Sequence, residues 1–444
     1  MKILIAGAGE VGSHLAKLLS REEQDVTILD TDAAHLAALD TNYNLLTLQG
    51  KPTSFDSIKE GGAADCDLFI AVTPFETNNI LACSIAKSFG AKRTVARIDN
   101  YEYMIRENRD FFTRMGVNHL IYPEYFAARE IMMSLKRSWA RNWFEIHQGQ
   151  LIVVGVKIRA NAKLNGMALK DIGREHRFFH VSAIKRNYET IIPRGSDIIR
   201  EGDIVYFTST AENIGAVRDL CGKTAANIRK CLIMGGSRIA VRLIRLAGDA
   251  YRFKIIESDR DRCEWLAERC PDAKIVHGDG RDIDLLLEEG ITEMDAFIAL
   301  TDSSETNILA SVSAKELGVR KTVAEVENIQ FIAEAENLNV GTIINKKLLA
   351  SGRIFQILLE ADAETPKFMA LADADVAEIE VRPGSKITRA QVMDLNLSRD
   401  MTIAGLIRDD KGMLVTGSTR IQPGDHVVVF CLSGAIHKIE RLFN

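Results

Sequence analysis

A chain of 444 residues, 46% hydrophobic and 26% charged, has the length of about three globular domains or four smaller ones, which excludes a disordered or fibrous protein. Its 56 Lys and Arg against 61 Asp and Glu leave a formal net charge of −5, so no basic field draws it to nucleic acid. No apolar run reaches the ~20 residues of a membrane-spanning helix, the first residues enter a strand pattern without a signal-peptide signature, and seven cysteines without a CxxC pair suit a reducing compartment. A cytoplasmic protein is expected.

The first predicted strand, Lys2 to Ala6, runs directly into Gly7-Ala8-Gly9-Glu10-Val11-Gly12 and a helix from Val11 to Leu19. In this GxGxxG frame Gly7 permits a tight turn, Gly9 lets backbone approach a pyrophosphate, and Gly12 lets helix pack on strand. The second strand, Val26 to Asp30, ends on a carboxylate suited to the adenosine ribose hydroxyls. The alternative is a decayed motif kept for packing. Asp30 is followed by Thr31 and Asp32 without a nearby arginine, which favours NAD(H) over NADP(H). Lys51, after Gly50, is a candidate phosphate contact.

Strands near Leu45 to Leu48, Leu68 to Thr73, Thr94 to Ile98 and Asn118 to Tyr122 complete a six-stranded doubly wound sheet with five helices between. Thr73, Pro74 and Glu76 follow the fourth strand at the switch point where open α/β sheets bind ligands. Arg97 ends the fifth strand. It faces the same crevice as a phosphate counter-charge or forms a surface salt bridge.

From Pro123 to Trp143 a helical pattern carries apolar residues on more than one face, among them Tyr125, Phe126, Ile131, Met132 and Leu135. Two readings stand: a helix packed on its own sheet, or one that crosses to a neighbouring Rossmann-like domain. A homo-oligomer held partly by this helix is expected. A small α+β domain follows, with the alternating run Leu151 to Ile158 and a Gly202-Asp203 turn.

The whole plan then repeats. Phe69 to Asn100 and Phe297 to Asn328 share 15 of 32 positions in an ungapped overlay. Arg186 and Asp203 meet Arg408 and Asp425 in the second small domain. The expected fold is α/β: two Rossmann-like doubly wound parallel-sheet domains (1–122 and 228–345), each followed by a linking helix (123–144 and 346–366) and a small α+β domain (145–225 and 367–444). In the second copy Gly235, Gly236 and Glu257 keep the frame, but Ser237 and Ala240 replace Gly9 and Gly12, and Glu325 replaces Arg97. That site binds nucleotide weakly, holds only an adenosine moiety, or is a structural remnant.

A dehydrogenase or epimerase needs a positioned proton donor beside the nicotinamide. The sequence shows no such constellation, and among nine histidines only His176 and His180 are four apart, without an HExxH frame. Neither catalytic nor metal-ligating residues are expected.

GAGEVG at Gly7 to Gly12, Leu29-Asp30, Thr77-Asn78, Ala96-Arg97 and the tandem order of domains resemble the RCK (KTN) regulatory subunits of Trk-type potassium uptake systems, over essentially the full length. The resemblance implies a peripheral protein on the inner face of the plasma membrane that self-associates into a ring beneath a potassium-translocating subunit of the TrkH/TrkG type. It also implies gating by NAD(H) and by ATP or ADP bound at the Rossmann-like domains, with Gly7, Gly9, Gly12, Asp30 and Arg97 carrying the first site. A regulator of a potassium efflux system shares this pattern.

Overall fold

The structure is a computed structural model that describes residues 1–21, 24–40, 43–187, 189–359, 367–371, 374–432 and 443. The end of the second linker (360–366) and most of the last twelve residues, which the sequence assigns to the second small domain, lie outside the described residues.

Continuous apolar runs become parallel strands because helices cover both faces of the sheet. The first Rossmann-like domain runs β1 (Lys2–Ala6), α1 (Glu10–Arg21), β2 (Asp25–Asp30), α2 (Ala33–Asp40), β3 (Leu46–Gln49), α3 (Phe55–Glu60), β4 (Leu68–Ala71), α4 (Glu76–Phe89), β5 (Arg93–Arg97), α5 (Arg106–Arg114), β6 (His119–Ile121). Its strand order is β3-β2-β1-β4-β5-β6, all parallel. The linking helix α6 (Pro123–Lys136) leads to β7 (Asn142–Ile146), β8 (Leu151–Lys157), α7 (Leu169–Glu175), β9 (Phe179–Arg186), β10 (Glu189–Ile191), β11 (Ile204–Ser209) and α8 (Ile214–Leu220). The second copy follows with β12 (Lys230–Met234), α9 (Arg238–Ala247), β13 (Arg252–Glu257), α10 (Arg260–Arg269), β14 (Lys274–His277), α11 (Ile283–Glu288), β15 (Ala296–Ala299), α12 (Ser304–Glu316), β16 (Lys321–Glu325), α13 (Ile332–Asn337) and β17 (Thr342–Ile344), then the helix α14 (Lys346–Leu359). Its sheet order β14-β13-β12-β15-β16-β17 repeats the first. The second small domain has β18 (Lys367–Leu371), β19 (Ala374–Glu380), β20 (Met401–Arg408), β21 (Lys411–Leu414) and β22 (His426–Leu432).

The chain divides into two compact units, Met1–Ala127 with Asn345–Asp362 and Ala128–Ile344 with Ala363–Asn444. In the first unit, Ile3, Ile5, Val26, Ile28 and Ile70 pack under α1 and under Ala350, Ile354 and Ile357 of α14. A helix encoded by the second repeat thus covers the first sheet, and Arg93 fastens it by donating to the Ile357 carbonyl at 2.8 Å. The other face packs Leu4, Ala6, Phe69 and Ala71 against Cys83, Ile85 and Ala86 of α4.

In the second unit, the later turns of α6 lie with the second Rossmann-like domain, where Ser134 donates to Thr342 Oγ1 at 2.8 Å. Lys321, buried at the start of β16, donates to the Ala140 carbonyl at 3.2 Å and to Thr342 Oγ1 at 3.0 Å. Ile131, Met132 and Leu135 are buried within the chain. This corrects the expectation that they await a second subunit: the apolar faces of α6 are already covered by its own polypeptide.

The two small sheets, ordered β10-β9-β11-β8-β7 and β18-β19-β22-β20-β21, are antiparallel and share one core. Leu151, Val153, Ala183 and Tyr206 of the first meet Val376, Ala404, Ile407, Val428 and Phe430 of the second. Each sheet is pinned by a forked ion pair. Arg186 donates to both oxygens of Asp203 at 2.8 and 2.7 Å, and Arg408 to both of Asp425 at 2.7 Å.

Candidate functional site

The carboxyl ends of β1, β2, β4 and β5 meet around the glycine loop. Gly7 has φ +113°, and a Cβ there would lie 3.0 Å from the Thr73 backbone nitrogen. A Cβ on Gly12 would stand 1.8 Å from the Gly7 carbonyl oxygen. Both glycines are demanded by the chain itself. Gly9 is different: a Cβ there would meet nothing within 4 Å, so the fold does not need this glycine, and its bare backbone suits close approach by a ligand.

Asp30 faces the same loop. One carboxylate oxygen accepts from the Ala8 N–H in a short bond and the other from the Asp32 N–H at 2.8 Å. Thr31 Oγ1 donates to Asp30 at 3.4 Å. Asp32 opens α2 by accepting from the Ala34 N–H at 2.8 Å, and these backbone donors at Ala34 and His35 hold its carboxyl below the usual range. Thr31 and Asp32 therefore shape the turn beside Asp30. Glu10, largely exposed in the loop, forms an ion pair with Lys347 of α14. Val11 is buried in the core under the loop.

Across the crevice the residues after β4 and β5 are organised by Asn79, which is fully buried. Its side-chain oxygen accepts from the Thr73 N–H at 2.9 Å and hydroxyl at 2.6 Å, while its amide donates to the carbonyls of Thr73 and Arg97 at 3.0 and 2.9 Å. Glu76 accepts from the Asp99 and Asn100 N–H groups at 2.8 and 2.9 Å. It fixes the loop after β5 and leaves Pro74 exposed at the rim. Arg97 lies 3.5 Å from Asp99, three-quarters buried, with its Nε unpartnered among the described residues. Beside it, burial pushes the Glu124 carboxyl up, against the pull of Lys346 and Arg97. Lys51 is exposed in the loop after β3.

The second copy repeats this scaffold. Gly235 has φ +95°. Glu257 accepts from the Gly236 N–H at 2.6 Å and from the Asp259 N–H at 2.8 Å, as Asp30 does from its loop. Thr301, Asn307 and the Glu325 carbonyl reproduce the Asn79 network. Here side chains of the protein itself engage the loop. Ser237 Oγ caps α9 through the Ala240 N–H at 3.4 Å. Arg262 donates to the Gly236 carbonyl at 2.7 Å and stacks 3.6 Å over the Trp265 ring. Counted from the paired carboxylates, Arg262 and Trp265 stand where the first copy has His35 and Ala38. Glu325, the counterpart of Arg97, is buried.

Reasoning from sequence missed Lys347 and Asn79. Lys347 lies 337 residues from Glu10 and no local pattern connects them. Asn79 was readable, because Thr73 and Asn79 recur with the same spacing at Thr301 and Asn307. His180 is half-buried against Thr402 at 3.2 Å, and desolvation lowers its pKa to about 4. His176 packs on Phe178.

Comparison with known proteins places this geometry. The TrkA-N domain model matches residues 3–123 and 231–346, and the TrkA-C domain model matches 153–222 and 376–444. The Trk system potassium uptake protein TrkA of Vibrio alginolyticus is 30% identical over 452 residues, covering 100% of this chain and 98% of its own. That of Haemophilus influenzae is 28% identical over the same length and shares. Among solved structures, the GsuK RCK domain superposes with a TM-score of 0.60 at 14% identity, over 100% of this chain and 94% of that one. The GsuK channel bound to NAD gives 0.59 at 14%, over 100% and 78%. At such identity the likeness is one of fold. The two pairs of domain matches and the full-length relatives show that the chain belongs to the TrkA family of Trk potassium uptake proteins.

Proposed function

We propose that this chain is the nucleotide-sensing regulatory subunit of a Trk-type potassium uptake system and gates potassium flux through a separate membrane subunit. The observation that carries the reading is the Asp30 carboxylate at the end of β2, facing a glycine loop whose Gly9 is open to solvent. The ribose hydroxyls of NAD(H) would bond to Asp30, and the diphosphate would lie along Gly7, Ala8, Gly9, Glu10, Val11 and Gly12 at the start of α1. Arg97 and Lys347 would face its charge, with Lys51 at the outer rim and Thr73, Pro74 and Glu76 shaping the far wall. ATP or ADP competes for the same crevice. At Gly235, Gly236 and Glu257 the resident Arg262 and Ser237 leave binding weak or limited to adenosine.

Lys347 supplies the coupling. A phosphate displaces Glu10 from this lysine and so bears on α14, the helix that the second repeat lays over the first sheet. The resulting shift is limited to the nucleotide's affinity difference between conformations, typically ~1 to 3 kcal/mol. In a ring of such chains on the inner face of the membrane, that difference changes the shape the pore subunit feels. A dehydrogenase reading needs a proton donor beside the nicotinamide, but Thr73, Asn79 and Glu76 along this wall are engaged with backbone.

The test is potassium flux through the co-reconstituted membrane subunit with NADH, NAD, ATP and ADP added in turn. Flux that changes with nucleotide and loses that response in Asp30→Ala supports the reading. Flux indifferent to every nucleotide, or hydride turnover with a small alcohol or sugar, overturns it.

A further inference from the structure

Where the two small domains meet, three side chains far apart in sequence converge. His147 lies in the turn between β7 and β8, Glu378 on β19, and His426 at the start of β22. One ligand atom from each lies within 4.8 Å of the others. His147 Nδ1 is 3.0 Å and His426 Nδ1 is 3.4 Å from the same Glu378 oxygen. Ligands that share a tetrahedral ion at about 2.0–2.1 Å stand about 3.3 Å apart. The spacing therefore fits a common ion as well as it fits hydrogen bonds.

Three further observations favour the ion. Glu378 is a buried carboxylate, its side chain only 7% exposed, so its oxygen is offered to both histidines out of bulk water. The repeat removes inheritance as the explanation. In the first small domain the positions that match Glu378 and His426, by the backbone bonds that Ile158 makes with Asp203 and Val381 with Asp425, are Gly155 and Ile204. The first small sheet has neither carboxylate nor imidazole there. Finally, Asp410 approaches the other nitrogen of His147, with Oδ1 3.4 Å from Nε2. A carboxylate behind a histidine fixes its tautomer and turns the remaining nitrogen toward a metal.

We propose that His147, Glu378 and His426 bind one divalent transition-metal ion of the zinc class, with Asp410 orienting His147. Two imidazoles and one carboxylate are a ligand set for such ions rather than for magnesium or calcium. The ion would join the first small domain to the second, and three protein ligands leave a fourth place for water. The site is independent of the nucleotide crevice.

The experiment uses the untagged full-length chain, stripped with chelator and titrated calorimetrically with Zn2+, and in parallel with Co2+ read by its visible absorption. One Zn2+ per chain is expected, with a Co2+ spectrum of nitrogen and oxygen ligation, and a rise in melting temperature on Zn2+ addition. Glu378→Gln and His426→Gln should each weaken Zn2+ at least tenfold, and Asp410→Asn by about 10- to 100-fold at most. The melting curve of each metal-free variant separates lost ligation from lost folding. Absence of saturable binding at micromolar Zn2+, thiolate bands in the Co2+ spectrum of the unaltered chain, or binding that survives both substitutions in a folded protein overturns the proposal.

Discussion

Replacement of Asp30 by alanine is the most direct probe of the nucleotide site. Each Asp30 oxygen already accepts one backbone N–H, from Ala8 or from Asp32. A carboxylate offers about four lone-pair directions, so the oxygen bonded to Ala8 keeps room for one ribose hydroxyl, and the other gains it when the 3.4 Å contact from Thr31 Oγ1 gives way. A hydrogen bond to a charged acceptor contributes about 1.5–3 kcal/mol. Loss of one such bond corresponds to roughly tenfold in affinity, and loss of both to a hundredfold or more. Asp30→Ala should therefore raise the NADH dissociation constant by about 10- to 100-fold in calorimetry. Glu257→Ala, the same change in the copy where Arg262 bonds the loop, should barely alter tight binding, which is expected at one site per chain. An unchanged NADH affinity in a folded Asp30→Ala protein would refute the assignment. Two equal tight sites per chain would show that Arg262 and Ser237 do not close the second crevice.

Gly12→Ala would force a Cβ to within 1.8 Å of the Gly7 carbonyl; it should destabilise the first domain by about 1–3 kcal/mol and weaken NADH, seen as a lower melting temperature and a raised dissociation constant. Arg408→Ala strands Asp425, whose side chain is 2% exposed, and should cost about 3–5 kcal/mol in denaturant unfolding, whereas a loss below ~1 kcal/mol would show that water replaces the arginine. Burial brings the Lys321 amine down to about 7, while the unfolded chain keeps that proton to about pH 10. Between these values the unfolded state binds more protons, so stability should rise with pH from about 7 to 10. Lys321→Met should reduce that slope by up to about 1.4 kcal/mol per pH unit, and parallel pH profiles for the two proteins would sink the argument.

The parallel sheets were legible because each strand is an uninterrupted apolar run, as in Leu68–Ala71, which is buried throughout. The glycine loop was legible because Gly7 and Gly12 answer steric demands made by the chain within a few residues. Contacts between distant segments were not. The apolar residues on several faces of α6 suggested an intermolecular partner, but a pattern along one helix records only that each face is buried, not by what. The same limit hid α14 over the first sheet and the Lys347 pair with Glu10. Glu76 read as a ligand residue from its place after β4, whereas its carboxylate is committed to two backbone N–H groups that no local sequence rule reveals.

Duplication explains why these hidden contacts matter. The two copies differ at the same crevice: the first has Gly9 open, and in the second Ser237 caps α9 while Arg262, stacked on Trp265, bonds the loop. A second domain that had lost all role would be free to lose its scaffold as well, yet Asn307 and Glu257 retain every bond of their counterparts. What the second copy contributes is the helix that follows it. α14 completes the core of the first domain and brings Lys347 to the glycine loop. The glycine loop of the first repeat thus meets a cation that the second repeat supplies, and under the proposed function a bound diphosphate would compete with Glu10 for it.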